Sequence, residues 1–422
     1  MKSLFLIILF IFNVINLSFS KTGHTNNWDQ IVNSAQNKTV KLHAWGGSKN
    51  INNYINWVKA KVHEKYGIKL QHIKIKDTSD AVKKVLFEKI AKKNDNGSVD
   101  IIWINGENFL TMKKNNLLLN KNWILQLPNS KFINFSKSSP YFYDFGIFNE
   151  GKEMPWGLSQ LIFYYDSDQL KIVPKSASQL KNFIKKNPGR FTFPQPPDFI
   201  GTSFLKQILI EISKDKKLFY DKYNLNNDKH KLSLNELWNW FDEITPFLWK
   251  SGKTYPNNYL SLGQLFSDNE LDIGLTFNIA YPKNEISKGN FKSSVRSFIP
   301  NIGSLANTHY LTIPYNAKNK NASKVVINYM ISPEAQLEKQ NSEIWGDPSV
   351  LSFEKLNKKL KKDFENLLSK STDLSFQDLG KKIPEPHPSW VKVIEEGWIT
   401  RYGSINLNKK KKYCYFYFFF QY

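Results

Sequence analysis

The stretch "KLHAWGGSKNINNYINWV", Lys41 to Val58, decides how this chain is read. An apolar, strand-like run stops at Trp45-Gly46-Gly47, and a helix pattern follows at once, with Ile51, Tyr54, Ile55 and Val58 at helical spacing. Two adjacent glycines behind a strand let something approach the backbone closely. The alternation continues downstream. "IKLQHIKI" (68–75) alternates as a strand, and Thr78 or Ser79 can cap a helix running to about Lys93 with Ala81, Val82, Val85, Leu86 and Ile90 inward. "VDIIWI" (99–104) is a continuous apolar run of the kind a strand buried on both faces needs. This β-α-β-α-β order predicts an α/β fold with a parallel sheet and right-handed crossovers.

Beyond residue 150 the texture changes. "GLSQLIFYYD" (157–166) reads as one long aromatic strand, and a proline-rich loop at 194–198 opens a helix. The polar, lysine-rich stretch at 215–235 reads as a surface connection, followed by a helix over 235–250 carrying Leu237, Trp238, Trp240, Phe241 and Leu248. "HYLTIPYNA" (309–317) is a further strand, with helical segments after it to about residue 400. Ser332-Pro333-Glu334 combines a cap, a proline at the first position and an acid in the first turn, a helix start with a purely architectural role.

The chain has 422 residues, enough for two domains, and a formal net charge of +22. Only Arg190, Arg296 and Arg401 are arginines, and the lysines are spread along the chain. The bidentate fork that reads phosphates and base edges is thus nearly missing, so no nucleic-acid partner is expected. Residues 1–20 carry Lys2, an apolar run and small residues before Lys21, which reads as a signal peptide cleaved after Ser20. No cysteine stands at that exit, so a lipid anchor is not expected; the expected product is a periplasmic, exported protein. The single cysteine, Cys414, can form no internal disulfide. Residues 405–422, ending in "KKKKYCYFYFFFQY", share nothing with the rest and read as an aberrant tail, as a frame slip in an adenine run would leave.

Catalytic patterns are missing. Gly252-Lys253-Thr254 lacks the glycine a phosphate loop needs, since Phe247 stands there, and "GLSQL" departs from G-x-S-x-G at its last position. The seven histidines show no zinc spacing. No catalytic residue, metal site or cofactor is assigned, and the chain is not read as an enzyme.

The unusual residues gather where elements meet. Trp45-Gly46-Gly47-Ser48 and Asn105-Gly106-Glu107-Asn108 follow strands, at the carboxyl ends where α/β folds bind ligands. Trp156, Asp198-Phe199 with Gly201-Thr202-Ser203, Asn278, and Asn307 with His309 complete the candidate set. Aromatic faces, amides and hydroxyls together suit a small-molecule pocket. Each also has an architectural reading: the tryptophans as core, Asn105, Asn108 and Asp198 as helix caps.

The runs "AWGG", "NGSVDIIWINGENF", "PWGLSQLIFYYD", "NPGRFTFPQPPDFIGTSFLKQ", "NTHYLTIPYNA", "ISPEAQ" and "WGDPSVL" together resemble the extracellular solute-binding proteins of ABC importers, in their YnjB-type branch, over residues 38 to 404. The resemblance implies a type II periplasmic-binding-protein fold of two α/β lobes with a ligand cleft between them. Lobe 1 is expected at 21–160 plus 309–404, including the C-terminal helices, and lobe 2 at 161–308. The strand at 161–165 would cross between lobes and that at 309–314 would return. The implied partners are a small solute and an inner-membrane ABC permease, with the binding protein acting as a monomer. The cleft aromatics with Glu107 and Asp198 favour an organic cation, thiamine-like or a polyamine. Ferric iron is the alternative, raised by Tyr164-Tyr165, but adjacent residues in a strand face opposite sides. An enzyme on the same fold is the more distant one.

Overall fold

The structure is a computed structural model that describes residues 27–136, 139–369 and 379–403. The leader and the tail, with Cys414, lie outside these. The first lobe begins with helix α1 (Asn27–Ala35), strand β1 (Thr39–Trp45), α2 (Lys49–Tyr66), β2 (Lys69–Ile75), α3 (Thr78–Ile90), β3 (Ile101–Ile104) and α4 (Gly106–Lys114). β1 pairs in parallel with β2 on one side and β3 on the other, as the alternation predicts. The boundaries have local causes. α2 ends at Gly67, whose φ of 65° lets its N–H return to the last turn of the helix. The cap of α3 is Asp77, one residue before the expected pair, its carboxylate accepting from the Ser79 N–H at 2.7 Å.

After the hairpin of β4 (Tyr143–Asp144) and β5 (Ile147–Phe148), the chain leaves for the second lobe. The expected long aromatic strand is two strands, β6 (Glu153–Gln160) and β7 (Ile162–Asp166), parted at Leu161. β6 stays in the first sheet, while β7 is the centre of a second sheet between β8 (Ile273–Thr276) and β9 (Val295–Phe298), antiparallel to both. Periodicity is uniform across the break, so the pattern alone does not mark where a strand changes sheet. Helices α5 (Ala177–Lys186), α6 (Phe199–Ile212), α7 (Asp228–Ile244), α8 (Tyr259–Ser267) and α9 (Tyr281–Ser287) surround this sheet. α7 begins inside the stretch expected as a surface connection, because His230 is buried against Trp390 and Tyr223.

The return strand β10 (Ser304–Thr312) starts earlier than expected and runs antiparallel to both β6 and β3. α10 (Lys320–Met330), α11 (Pro333–Gln340) and α12 (Lys358–Ser369) follow; α11 starts as expected, with Ser332 capping and Pro333 in the first turn. Then β11 (Lys382–Pro384) pairs in parallel with the start of β10, and α13 (Ser389–Tyr402) closes the described chain. α13 does not join lobe 1. Its Trp390, Ile394 and Trp398 are buried in the hydrophobic cluster of the second lobe, with Phe193, Trp238 and Tyr255. Trp390, Ile394 and Trp398 are spaced four residues apart on one helix face, and burying that face holds α13 against the second lobe. The chain therefore crosses between lobes three times, at 160–162, at 303–305 and after β11.

Candidate functional site

Between the lobes lies a cavity of about 410 Å³, a size suited to a small solute. Its walls combine the strand ends of the first lobe with the N-terminus of α6 and the side of α13. Trp45, Trp103, Tyr259 and Trp345 give it aromatic faces, and Ser159, Asn278 and Asn307 give it polar ones. The lobes are in contact around it. The Trp45 ring meets that of Tyr259 with centroids 5.7 Å apart, and Ser48 shares a hydrogen bond with the Tyr259 hydroxyl. On the same side, Lys288 Nζ of lobe 2 donates to Asn50 Oδ1 of lobe 1 at 2.8 Å.

The charges fall into two groups. Two lysines, Lys206 on the cavity wall and Lys339 behind it, are buried and already paired. Lys206 donates to Glu385 Oε2 at 2.6 Å, flanked by the rings of Phe145 and Phe199, and Asn307 Nδ2 donates to the other Glu385 oxygen at 3.1 Å. Lys339 donates to Asp347, whose other oxygen lies 2.8 Å from His309 Nε2. The second group is acidic. Glu107, Asp198 and Glu395 line the cavity, and none has an ion-pair partner among the described residues. Burial pushes Glu107 and Asp198 each up to about 6. In Glu395 burial raises the carboxyl to about 8, with the hydroxyl of Thr202 opposing it and the charge of Glu107 adding to it.

A family model described as "Bacterial extracellular solute-binding protein" matches residues 57–366. The chain belongs to this family. Protein YnjB of Escherichia coli (strain K12) is 37% identical over 386 residues, covering 92% of this chain and 96% of the relative. Among solved structures, a putative spermidine/putrescine ABC transporter from Listeria monocytogenes superposes with a TM-score of 0.59 at 18% identity, covering 85% of this chain and 98% of that one. The periplasmic binding protein AfuA from Actinobacillus pleuropneumoniae, with fructose-6-phosphate bound, gives 0.58 at 14%, covering 86% and 98%. The α/β architecture is thus that of two-lobed periplasmic binding proteins. This solute-binding protein is the capture component of an ABC-type importer, acting outside the cytoplasmic membrane, where it binds a small solute and delivers it to a membrane permease.

Ten of the residues singled out in the sequence face the cavity of the solute-binding protein: Trp45, Asn105, Glu107, Asn108, Asp198, Phe199, Thr202, Asn278, Asn307 and His309. Asp198 does so while capping α6, accepting from the N–H groups of Ile200 and Gly201. Seven do not reach it, each for a packing reason. A Cβ on Gly47 would stand 2.2 Å from the Trp45 indole and one on Gly46 2.5 Å from the Lys74 side chain, so this pair makes room for neighbours within the lobe. Ser48 lies under Tyr259. Gly106, at φ +60°, sits against the Phe145 ring with its N–H on Asp144. Gly201 lets α6 lie on the Pro194 carbonyl, and Ser203 is buried in the second lobe. Trp156 is wholly buried one layer back, behind Trp103 and Trp345. Tyr164 is buried against Phe266 and Phe291 and Tyr165 packs on Phe298, so neither reaches the cavity.

The sequence reading missed Trp103, Lys206, Tyr259, Trp345, Asp347 and Glu395, all on the cavity wall. One of these left a signal. Lys206 is the single lysine inside the apolar helix "FIGTSFLKQILIEI", where a buried cation requires a partner.

Proposed function

We propose that the transported solute is a small organic cation, held in this cleft as a thiamine-like or polyamine compound would be. One observation carries the reading: Glu107, Asp198 and Glu395 face an aromatic-walled cavity in which Lys206 is already bound to Glu385 and the other lining lysine, Lys76, is next in sequence to the lining acid Asp77. A cation placed there recovers the electrostatic energy that burial of three carboxyls costs, and ring faces add about 0.5–2 kcal/mol per contact. An anionic solute such as a sugar phosphate would instead meet like charges. The solved relative named for spermidine and putrescine agrees with this class. The ten facing residues, joined by Trp103, Tyr259, Trp345 and Glu395, are the proposed contacts. The protein acts as a monomer, released into the periplasm by cleavage after Ser20 and without a lipid anchor, with lobes, among the described residues, of 27–160 plus 304–385 and 161–303 plus 386–403. Thermal-shift measurements with thiamine, choline, putrescine, spermidine, fructose 6-phosphate and ferric citrate test the reading, since a bound solute stabilises by mass action. A raised Tm with a cation and none with the phosphate is expected. Stabilisation by the phosphate or by iron alone would overturn it.

A further inference from the structure

The two carboxyls with the largest stake in the cleft come from different lobes. Glu107 opens α4 in lobe 1, and Glu395 lies on α13, which the packing assigns to lobe 2. Both line the cavity, and Glu395 feels the charge of Glu107. The other charged or titratable groups on the cavity wall are Lys76, Asp77, Asp198, Lys206, His309 and Asp347. Lys206 from α6 attracts both, but its ammonium is held by Glu385; Asp77 at the start of α3 repels both. Asp144 lies behind Glu107, on the Gly106 N–H, and Glu385 adds to the repulsion on Glu107. On α13 itself, Lys392 and Glu396 are outside the cavity lining. Around one lysine there are thus three carboxyls, Glu107, Glu385 and Glu395, an excess of two negative charges when all are ionised.

We propose that Glu107 and Glu395 form a clamp across the cleft that ties lobe closure to positive charge: when both carry charge they push the lobes apart, and a proton or a solute cation between them lets the lobes close. The identification of the cation as the solute rests on the function proposed above; the clamp itself does not. Differential interaction with the two states is what any closure requires. Here the closed state brings the two carboxyls together and the open state separates them. The titration range fits this arrangement, since burial places Glu107 at about 6 and Glu395 at about 8 in the closed form. Opening relieves the repulsion and rehydrates both groups, so high pH favours the open form and low pH the closed one.

Small-angle scattering of the ligand-free protein at pH 5.5 and pH 9 tests the clamp without any solute, with circular dichroism checking that the fold persists. The radius of gyration of the wild type should increase at pH 9. Glu395→Gln keeps a group able to accept from Thr202 and should lose that increase; Glu107→Gln should lose it independently, so the test does not depend on one variant folding. A wild-type radius that does not change with pH, or a change that survives in both variants, overturns the clamp. A second arm adds thiamine or spermidine at pH 9 to the wild type. Compaction there with loss in the double variant extends the clamp to the solute. If neither compound compacts the protein while the pH-dependent change is present, the clamp stands and the solute reading falls.

Discussion

Replacing Lys206 by Met should destabilise the protein far more than a typical point substitution. Lys206 is 1% exposed and Glu385 4%, with 2.6 Å between Nζ and Oε2. At that separation the attraction is about 6 kcal/mol at an effective dielectric of about 20. Much of it is offset by the cost of removing both ions from water, so the pair's net worth is small. Removing one partner is different: the carboxylate stays buried with only the Asn307 amide and loses its counter-charge, which costs about 3–5 kcal/mol. Denaturant unfolding at pH 7 should show this as a lower midpoint with little change in slope. The double variant Lys206→Met/Glu385→Gln should recover most of the loss, because no charge is then left without a partner. A single variant costing under about 1 kcal/mol, or a double variant no better than the single, would refute the reasoning.

Three further outcomes are expected. Glu153 is wholly buried with no ion-pair partner among the described residues, and burial, with the charge of Asp144, holds it well above the usual carboxylate range. Stability should therefore fall as pH rises above the unfolded value of about 4.3, and unfolding at pH 5 and pH 8 should show a smaller difference in Glu153→Gln. Gly157→Ala would place a Cβ 2.1 Å from Asp347 Oδ2 and 2.6 Å from His309 Cδ2; a loss of about 1–3 kcal/mol by chemical denaturation is expected. Trp45→Ala removes a cavity wall and the contact with Tyr259, and should weaken binding of the solute found by thermal shift by roughly 2–30-fold in titration calorimetry.

The parallel half of the first sheet was readable because β1, β2 and β3 are separated by capped helices, and three strand–helix alternations admit few topologies. The pocket's polar loops were readable for the same reason, since Asn105, Glu107 and Asn108 follow a strand end. What stayed hidden depends on contacts distant in sequence. Nothing local distinguishes Trp45, which faces the cavity, from Trp156, which lies one layer behind it. Gly46 and Gly47 looked like a place where a ligand nears the backbone, but the close neighbours are Lys74 and Trp45 themselves. Glu395 sits among other charged residues on an ordinary helix, and only its packing on lobe 2 turns it toward the cleft. Lys206 was the exception, visible as a charge inside an apolar helix.

The placement of α13 bears on when a working cleft can exist. Thr202 and Glu395 meet across 193 residues of sequence, and Trp390 and Trp398 complete a cluster begun by Phe191 and Phe193. A chain passing through an export channel emerges amino end first, so the first lobe's strands and most of the second lobe are outside before this helix arrives. During that interval the second lobe shows bare aromatic surface, and the cleft lacks the wall that carries Val391 and Glu395. The protein thus cannot capture its solute part-way through export, and any escort that shields the emerging chain would be needed longest at this second lobe.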